Sequence, residues 1–356
     1  METAIPEHLL NKRTQPSSQP PNWHPSTEGF VARYPQKVDQ MIMAYFGTQY
    51  RDSDEPALVR SALVALSETY AAADGPAHVD RAAYTDEAGF HTVLTIAYWD
   101  DPIRFDRWFA QARAMWLGEQ NLSDEAGFFV EVLRPTTSRF ETLFSSNRAE
   151  GIANLSERFT GPVAEHAYWG GARDRIPLAQ TDPLDSGEPL GVSGDHYRQV
   201  VRGQHNLCLI RSGQDWSDTD GDERRMYLEE IEPILRAGMD FLRDDGQSVG
   251  CFANRYVQLV DSDGNPVDKT FGMSWWRSLA DLDEWARRHP THLSIFGKAM
   301  KYLAALGPKA RLRLYHEVTV AAAEQQYFEY LGCHPETGML RAARKPEPNT
   351  GTASQR

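Results

Sequence analysis

Residues 93–109, VLTIAYWDDPIRFDRWF, and residues 271–287, FGMSWWRSLADLDEWAR, are two versions of one pattern. Each begins with the apolar and aromatic residues of a strand, ends that strand in an aromatic pair and passes through a turn into an amphipathic helix. The tryptophan that ends the strand and the tryptophan within the helix are equally far apart in both stretches. Because a repeated pattern indicates a repeated structural unit, we predict a chain built from two similar halves.

Two further pairs of segments extend the repeat. Residues 39–50 (DQMIMAYFGTQY) match residues 205–216 (HNLCLIRSGQDW), and residues 127–135 (GFFVEVLRP) match residues 313–321 (RLYHEVTVA). The second half adds a hairpin around the turn-rich residues 261–265. Each half has too few strands for a doubly wound sheet, and no glycine-rich phosphate loop follows any of them.

We therefore predict an α+β fold made of duplicated ferredoxin-like units. Their antiparallel sheets face each other in a barrel-like arrangement, with the helices outside and an apolar space for a cofactor between the sheets. In the first half, helices are expected at about residues 55–73 and 101–115.

The predicted domain organisation has three parts. A proline-rich, extended N-terminal arm occupies residues 1–37, and a disordered tail occupies residues 343–356. Residues 38–342 form a single domain, whose halves span about 38–150 and 200–342.

Composition excludes some classes of partner. The net charge of −13 argues against nucleic acid, which requires a basic surface. The three cysteines form no CxxC or CxxCH motif, so a zinc ribbon and covalently attached haem are both disfavoured. No leader sequence and no apolar run long enough to cross a membrane is found, and we expect a cytoplasmic protein with reduced thiols.

His292 leads an apolar helical face. Pro290 suits the first turn of a helix. From His292 onward, apolar residues follow at helical spacing: Ile295, Phe296, Ala299 and Leu303. One imidazole in an apolar wall is typical of an axial haem ligand, and a core histidine bonded to backbone is the alternative. His289 would complete a zinc pair, but no further ligand accompanies it.

His316 lies in the alternating stretch RLRLYHEVTV (311–320), which indicates a strand. It shares a face with Leu314 and Val318, and its counterpart in the first half is Val130. An imidazole at such a position is costly unless it is hydrogen-bonded or used. It is therefore either a general acid–base group or a satisfied core histidine.

Three other places carry polar groups of interest. Ser212 ends a strand beside a glycine without the GxSxG motif of hydrolases, so it is either a cavity hydroxyl or a turn serine. Residues 165–182 gather charged side chains around Trp169 and two glycines, as a lining loop or a surface loop would. Glu141 is a lone carboxylate in the aromatic run RFETLF (139–144).

Six stretches together resemble the haem-containing aldoxime dehydratase family, which includes phenylacetaldoxime and alkylaldoxime enzymes. They are EHAYWGGARDRIP (165–177), NLCLIRSGQDW (206–216), GMDFLRDDGQSVGCFANR (238–255), HPTHLSIF (289–296), RLRLYHEV (311–318) and CHPETGMLR (333–341). The resemblance runs from about residue 38 to residue 342, and several of the stretches are long and unusual.

The resemblance implies roles for particular residues. His292 matches the proximal ligand of the haem iron, which makes the predicted cofactor space a haem cavity. The matched distal residues are the catalytic His316, Ser212, Arg175 and Glu141. Arg173 is the alternative distal arginine if the alignment slips by two positions.

The activity implied by the resemblance is the dehydration of aldoximes to nitriles with release of water. The cofactor would be haem b, with ferrous iron binding the substrate nitrogen in the active state, and the enzyme would be a homodimer. The alternatives are a haem peroxidase of related α+β fold, a non-enzymatic haem carrier or sensor, and a haem-free binding protein. The many aromatic residues do not choose between aryl and alkyl aldoximes.

Overall fold

The computed structural model describes residues 1–51 and 54–343 of the chain. Its strands are β1 (Ala32–Arg33), β2 (Ile42–Tyr50), β3 (His78–Thr85), β4 (His91–Trp99), β5 (Ala126–Leu133), β6 (Phe140–Phe144), β7 (Arg158–Phe159), β8 (Gly191–Gly194), β9 (Arg198–Arg202), β10 (Leu207–Asp215), β11 (Cys251–Val260), β12 (Pro266–Trp276), β13 (Arg313–Ala321) and β14 (Gln326–Leu331).

The α-helices are α1 (Ala57–Glu68), α2 (Pro102–Trp116), α3 (Gly171–Arg175), α4 (Gly221–Met226), α5 (Glu232–Asp244), α6 (Leu279–Arg288), α7 (Pro290–Leu306) and α8 (Met339–Ala343). A π-helical turn, Tyr227–Ile231, joins α4 to α5. None of the helices described here combines the length and the apolarity needed to cross a membrane. Helix α8 includes the first residue of the predicted tail, and the remaining residues, 344–356, lie outside the described part of the chain.

Among the described residues, twelve strands form one antiparallel sheet in the order β6-β13-β10-β12-β11-β3-β4-β2-β5-β14-β9-β8, and β1 pairs separately with β7. The chain is thus a mixed α+β protein, as predicted. The order runs from β6 to β8 without returning to its start, so the described strands form no closed barrel. The barrel-like part of the prediction is therefore not confirmed.

Both halves of the chain repeat one arrangement of strands. In the first half, β2, β3, β4 and β5 lie in the order β5-β2-β4-β3, and in the second half β10, β11, β12 and β13 lie in the order β13-β10-β12-β11. Helices follow the first and third strands of each set. The two sets are joined edge to edge, because β3 pairs with β11.

Each half also contains one strand that pairs with the sheet of the other half. Strand β6 follows the first four strands in the chain, but it pairs with β13 of the second half. Strand β14 belongs to the second half, but it pairs with β5 of the first half. This exchange brings Glu141, on β6, to the sheet of the second half.

The inner faces of the two half-sheets pack against each other. The rings of Tyr45 and Trp275 lie 6.4 Å apart across this core. Arg255 spans it and forms two hydrogen bonds, of 2.6 and 2.7 Å, with Glu131. Large side chains therefore fill the space between the sheets, and the prediction that a cofactor lies there is wrong.

The outer faces of the two half-sheets differ in how they are filled. In the first half, Phe46 packs against Trp108 and Trp116 of α2, at ring distances of 5.6 and 6.0 Å. The repeat places Ser212 of β10 at the position of Phe46. A small residue at this point leaves a cavity between the second half-sheet and its helices.

Candidate active site

The cavity lies between the outer face of the second half-sheet and helices α5, α6 and α7, and its volume is about 240 Å³. Its sheet wall carries small residues, namely Ser212, Gly272 and Ser274. Its helical wall is apolar and is formed largely by Leu235, Leu282, Trp285 and Ile295. The segment 167–172, which ends three residues before Arg175, closes one side.

Strand register brings the polar groups of the sheet wall together. Ser212 on β10 lies directly opposite His316 on β13 and Gly272 on β12. His316 in turn lies opposite Leu143 on β6, two residues beyond Glu141. Side chains two positions apart on a strand share a face, so Glu141, His316 and Ser212 all point outward from the sheet.

His292 belongs to the helical wall. Helix α7 begins at Pro290, and the side chain of His289 caps it by accepting a hydrogen bond from the Thr291 backbone N–H. The His292 ring lies 4.8 Å from the ring of Trp285 and 5.8 Å from that of Trp169. Burial lowers the pKa of His292 to about 4, so the imidazole is neutral at pH 7.

The neutral His292 is suited to bind a metal. Its Nδ1 atom is completely buried and has no hydrogen-bond partner among the described residues. No group of three or more His, Cys, Asp or Glu side chains that could hold a metal ion occurs in the part of the chain that the structure describes. A metal bound by His292 would therefore need its remaining ligands from a cofactor, and one imidazole in an apolar wall fits haem.

Arg175 connects Glu141 with His316. Its Nε and Nη2 atoms donate hydrogen bonds of 2.6 and 3.2 Å to the two carboxylate oxygens of Glu141. Nη2 also lies 2.7 Å from Nε2 of His316, and this Nε2 atom is 3.0 Å from Oε1 of Glu141. Burial opposes ionisation of Glu141, but the charges of Arg175 and His316 outweigh it and lower the pKa of the carboxyl.

Other residues singled out in the sequence lie elsewhere. Arg173 donates to the carbonyl oxygen of Pro183 at 2.8 Å and approaches Asp283 at 3.5 Å, so only Arg175 of the two arginines reaches Glu141. His289 stacks on Phe241 at 4.2 Å. Phe296, expected on the apolar face of α7, is 40% exposed because this part of the helix lies at the protein surface.

The loop of residues 165–182 both lines the cavity and carries groups directed away from it. Trp169 and Arg175 line the cavity, in agreement with the lining-loop hypothesis. His166 is instead buried against Gly29 of the N-terminal arm. Sequence reasoning missed Asp174, which is 1% exposed and lies between the two candidate arginines. The only indication in the sequence was an acidic residue within the charged run RDR.

Comparisons with known proteins agree over nearly the whole chain. A family model for haem-containing dehydratases matches residues 44–339. An aliphatic aldoxime dehydratase from a Pseudomonas species is 42% identical over 351 residues, which cover 97% of this chain and 99% of that protein. A phenylacetaldoxime dehydratase from Bacillus sp. (strain OxB-1) is 31% identical over 333 residues, which cover 91% of this chain and 93% of that protein.

A solved structure is similar as well. The crystal structure of an aldoxime dehydratase in complex with butyraldoxime matches with a TM-score of 0.92 and 41% identity, and covers 97% of both chains. These comparisons confirm the family resemblance seen in the sequence.

Proposed function

The chain belongs to the haem-containing dehydratase family, and from this premise we propose that it is a lyase that removes water from aldoximes to give nitriles. One observation carries the proposal. A neutral imidazole, His292, lines the helical wall of a cavity whose sheet wall carries His316, backed by Arg175 and Glu141. A metal ligand and a proton donor therefore border the same space.

In this proposal the imidazole of His292 would hold the iron of a haem b group. The neutral ring offers a nitrogen lone pair, and the aromatic and aliphatic wall around it suits the porphyrin. When bound, ferrous haem supplies a site for the aldoxime nitrogen and electron density towards the N–O bond.

Ser212 and His316 act on the hydroxyl group of the substrate, the first by a hydrogen bond and the second by proton transfer. The Ser212 hydroxyl donates a hydrogen bond to the aldoxime oxygen and fixes its position, while His316 gives the proton with which this oxygen leaves as water. The hydrogen on the aldoxime carbon then leaves as a proton to His316, and its bonding electrons complete the C≡N bond as the N–O bond breaks. Atoms and charge balance, and His316 regains the proton that it gave.

Arg175 and Glu141 provide partners for both protonation states of His316. The ring donates a hydrogen on Nε2 to Glu141, and this bond persists whether Nδ1, the nitrogen that neither Arg175 nor Glu141 holds, carries a proton or has given it to the substrate. The ring therefore keeps its orientation while its charge changes, which is what a group that gives and regains a proton requires.

We propose aliphatic aldoximes as the preferred substrates. The relatives named for aliphatic aldoximes are 41% to 42% identical to this chain, and the relative named for phenylacetaldoxime is 31% identical. The test is an anaerobic assay of dithionite-reduced protein, with the nitrile product measured by chromatography. We expect a higher kcat/KM for butyraldoxime than for phenylacetaldoxime. The reverse order would contradict the aliphatic preference, and no nitrile from either would contradict the lyase activity.

We propose a homodimer. On α7, three apolar residues one or two turns apart are exposed, namely Leu293 (41%), Phe296 (40%) and Met300 (38%). Such a row is typical of a surface that a second copy covers. Light scattering during size-exclusion chromatography should give twice the mass of one chain, and a monomer would contradict the proposal.

Three finer assignments complete the proposal. Each half has the order of helices and strands of a ferredoxin-like unit, and we interpret the chain as a duplication of this unit. Both units belong to one domain, residues 38–342, and the arm of residues 1–37 precedes it. All three cysteines lie within the described residues and are free thiols, which supports a cytoplasmic location. Cell fractionation tests the location.

A further inference from the structure

The N-terminal arm, residues 1–37, covers the segment that carries Arg175. Asp174 is the neighbour of Arg175 in α3, and its carboxylate is almost completely buried. Ser17 donates a side-chain hydrogen bond of 2.9 Å to Oδ2 of Asp174, and the backbone N–H of Ser18 donates another of 2.9 Å to the same oxygen. The side chain of Arg13 lies 3.4 Å from Oδ1.

A second contact links the arm to Arg175 by way of Glu165. The Ala4 backbone N–H and the Thr3 hydroxyl donate hydrogen bonds of 3.1 and 3.2 Å to the carboxylate of Glu165. The backbone carbonyl of Glu165 accepts a hydrogen bond of 2.6 Å from Nη1 of Arg175. The guanidinium is thus held from the side opposite to Glu141 and His316.

The arm also shields the charged pair from solvent. A small cavity of about 40 Å³ lies behind Glu141 and Arg175, and arm residues Ala4, Pro6 and Leu9 form its outer wall. The side chains of Glu141 and Arg175 are 0% and 2% exposed. Hydrogen bonds between charges are stronger in such a water-poor place, so removing the arm would weaken this pair as well as loosen it.

We propose that the N-terminal arm is a positioning device for Arg175, and that Asp174 is the positioning residue through which the arm acts. The proposal rests on the proposed function, because Arg175 orients His316 there. Oδ2 of the buried Asp174 carboxylate accepts hydrogen bonds from Ser17, Ser18 and the Tyr168 hydroxyl, and the arm supplies two of these three donors, so the arm fixes the direction of α3 through them. Arg175 in turn reaches Glu141 and His316 only when α3 lies in the position that its contacts with the arm give it.

Two substitutions test the proposal in the holoenzyme. Asp174→Asn exchanges an acceptor oxygen for an amino group that faces donors. Ser17→Ala removes the hydrogen bond to Asp174 and the one that the Ser17 hydroxyl accepts from the Gln19 backbone N–H. We expect Asp174→Asn to lower kcat for butyraldoxime about 10- to 100-fold, the effect of a small misplacement of a catalytic group, with KM and haem content unchanged. Ser17→Ala should act in the same direction but less, and Ser17→Thr, which keeps the hydroxyl, should restore kcat.

The readout that separates positioning from stability is the C–O stretching frequency of the ferrous carbon monoxide complex. This frequency responds to positive charge and hydrogen-bond donors near the bound ligand, and it requires no turnover. In Asp174→Asn it should move towards the value of an Arg175→Lys variant. The exposed loop residues Ser186 and Glu188 provide the matched controls Ser186→Ala and Glu188→Gln, which should leave kcat and the frequency unchanged.

The outcomes decide between the alternatives. A normal kcat and frequency in fully haem-loaded Asp174→Asn would overturn the proposal, and so would a lowered kcat with an unchanged frequency. If Asp174→Asn does not fold, the pair Ser17→Ala and Ser17→Thr decides by the same measurements. If the wild-type protein dehydrates no aldoxime, the proposed function fails, and the shift in frequency still decides whether the arm positions Arg175.

Discussion

His316 shows how a polar side chain can occupy a strand position between apolar residues. Its strand neighbours on the same face, Leu314 and Val318, belong to apolar clusters. The cost of placing an imidazole there is offset by the guanidinium 2.7 Å away and the carboxylate 3.0 Å away. Both partners are charged groups, as the proposed acid–base role of His316 requires.

We predict that His316→Ala lowers kcat by about 10²- to 10⁴-fold, the usual contribution of a general acid–base group, while haem content stays normal. In His292→Ala, by contrast, haem should be lost. The measurements are single-substrate kinetics with butyraldoxime and the ratio of haem to protein. His196 is exposed in the turn between β8 and β9, and His196→Ala is the matched control. Near-normal turnover by His316→Ala would contradict the catalytic role.

His166 gives the protein a predicted pH dependence of stability. Burial, followed by the charge of Arg175, lowers its pKa from 6.5 to about 4. Between these values the unfolded chain binds a proton that the folded chain does not, so the free energy of unfolding falls as the pH falls from 6.5 towards 4. His166→Gln, which does not titrate, should lose less stability than the wild type on going from pH 7 to pH 5, by about 1 to 2 kcal/mol.

Urea denaturation at the two pH values measures this difference. His196→Gln, at an exposed site, is the control and should behave as the wild type does. Equal losses of stability in His166→Gln and the wild type would show that His166 is not buried in its neutral form.

At the scale of elements, the strand pair β2–β5 of the first half corresponds to the pair β10–β13 of the second half. The two pairs are alike on their inner faces and differ on their outer faces. Gly47 and Gly213 are equivalent, and a Cβ atom at either would lie about 2 Å from an aromatic ring on the adjacent strand, that of Phe129 or Tyr315. The same contact between a glycine and an aromatic ring therefore occurs on both half-sheets. On the outer faces Ser212 stands where the first half has Phe46, and together with the small residues Gly272 and Ser274 it leaves room for a cofactor.

We predict that Ser212→Phe fills the cavity and prevents haem binding without unfolding the protein, because the equivalent Phe46 is accommodated between its half-sheet and α2. The Soret absorbance of the purified protein should be lost, while circular dichroism and the thermal unfolding temperature of the apoprotein stay close to those of wild-type apoprotein. Ser193→Phe, on the exposed strand β8, is the control and should keep its haem. A normal Soret band in Ser212→Phe would contradict the placement of the haem.

Helix α7 should depend on haem for its stability. Within α7, all of which the structure describes, only Tyr302 is buried, whereas α2 of the first half buries Phe105, Trp108, Ala112 and Trp116. A helix with few buried apolar contacts opens readily, and a ligand held by His292 would restrain it. Removing haem should therefore speed hydrogen–deuterium exchange in residues 290–306 and leave residues 102–116 unchanged. Equal exchange of α7 in apoprotein and holoprotein would contradict ligation through this helix.

Over the whole molecule, sequence patterns predicted the features that depend on residues close together in the chain, such as single helices. The helix expected at 101–115 is α2, Pro102–Trp116, because its apolar spacing and its proline are local features. The pairing of β6 with β13 and of β14 with β5 joins segments far apart in the chain, and no local pattern encodes it. For the same reason Glu141 was a lone carboxylate in the sequence, and spacing alone did not choose between Arg173 and Arg175.

The strand exchange predicts that neither half forms the site alone. A chain divided between the exposed residues Glu188 and Pro189 gives one fragment with Glu141 and Arg175 and another with His292 and His316. Without β5 and β6, the second fragment has unpaired edges on β14 and β13, which are prone to aggregation.

We expect fragments 1–188 and 189–356 to be poorly soluble when expressed singly and to associate when expressed together. A tag on the first should then recover the second, and only the complex should show a Soret band and dehydrate butyraldoxime. The undivided chain is the positive control, and a complex carrying His292→Ala is the control for adventitious haem. If fragment 189–356 alone is soluble and binds haem with the spectrum of the intact protein, the exchanged strands are not needed to build the site, and the second half is an independent haem domain.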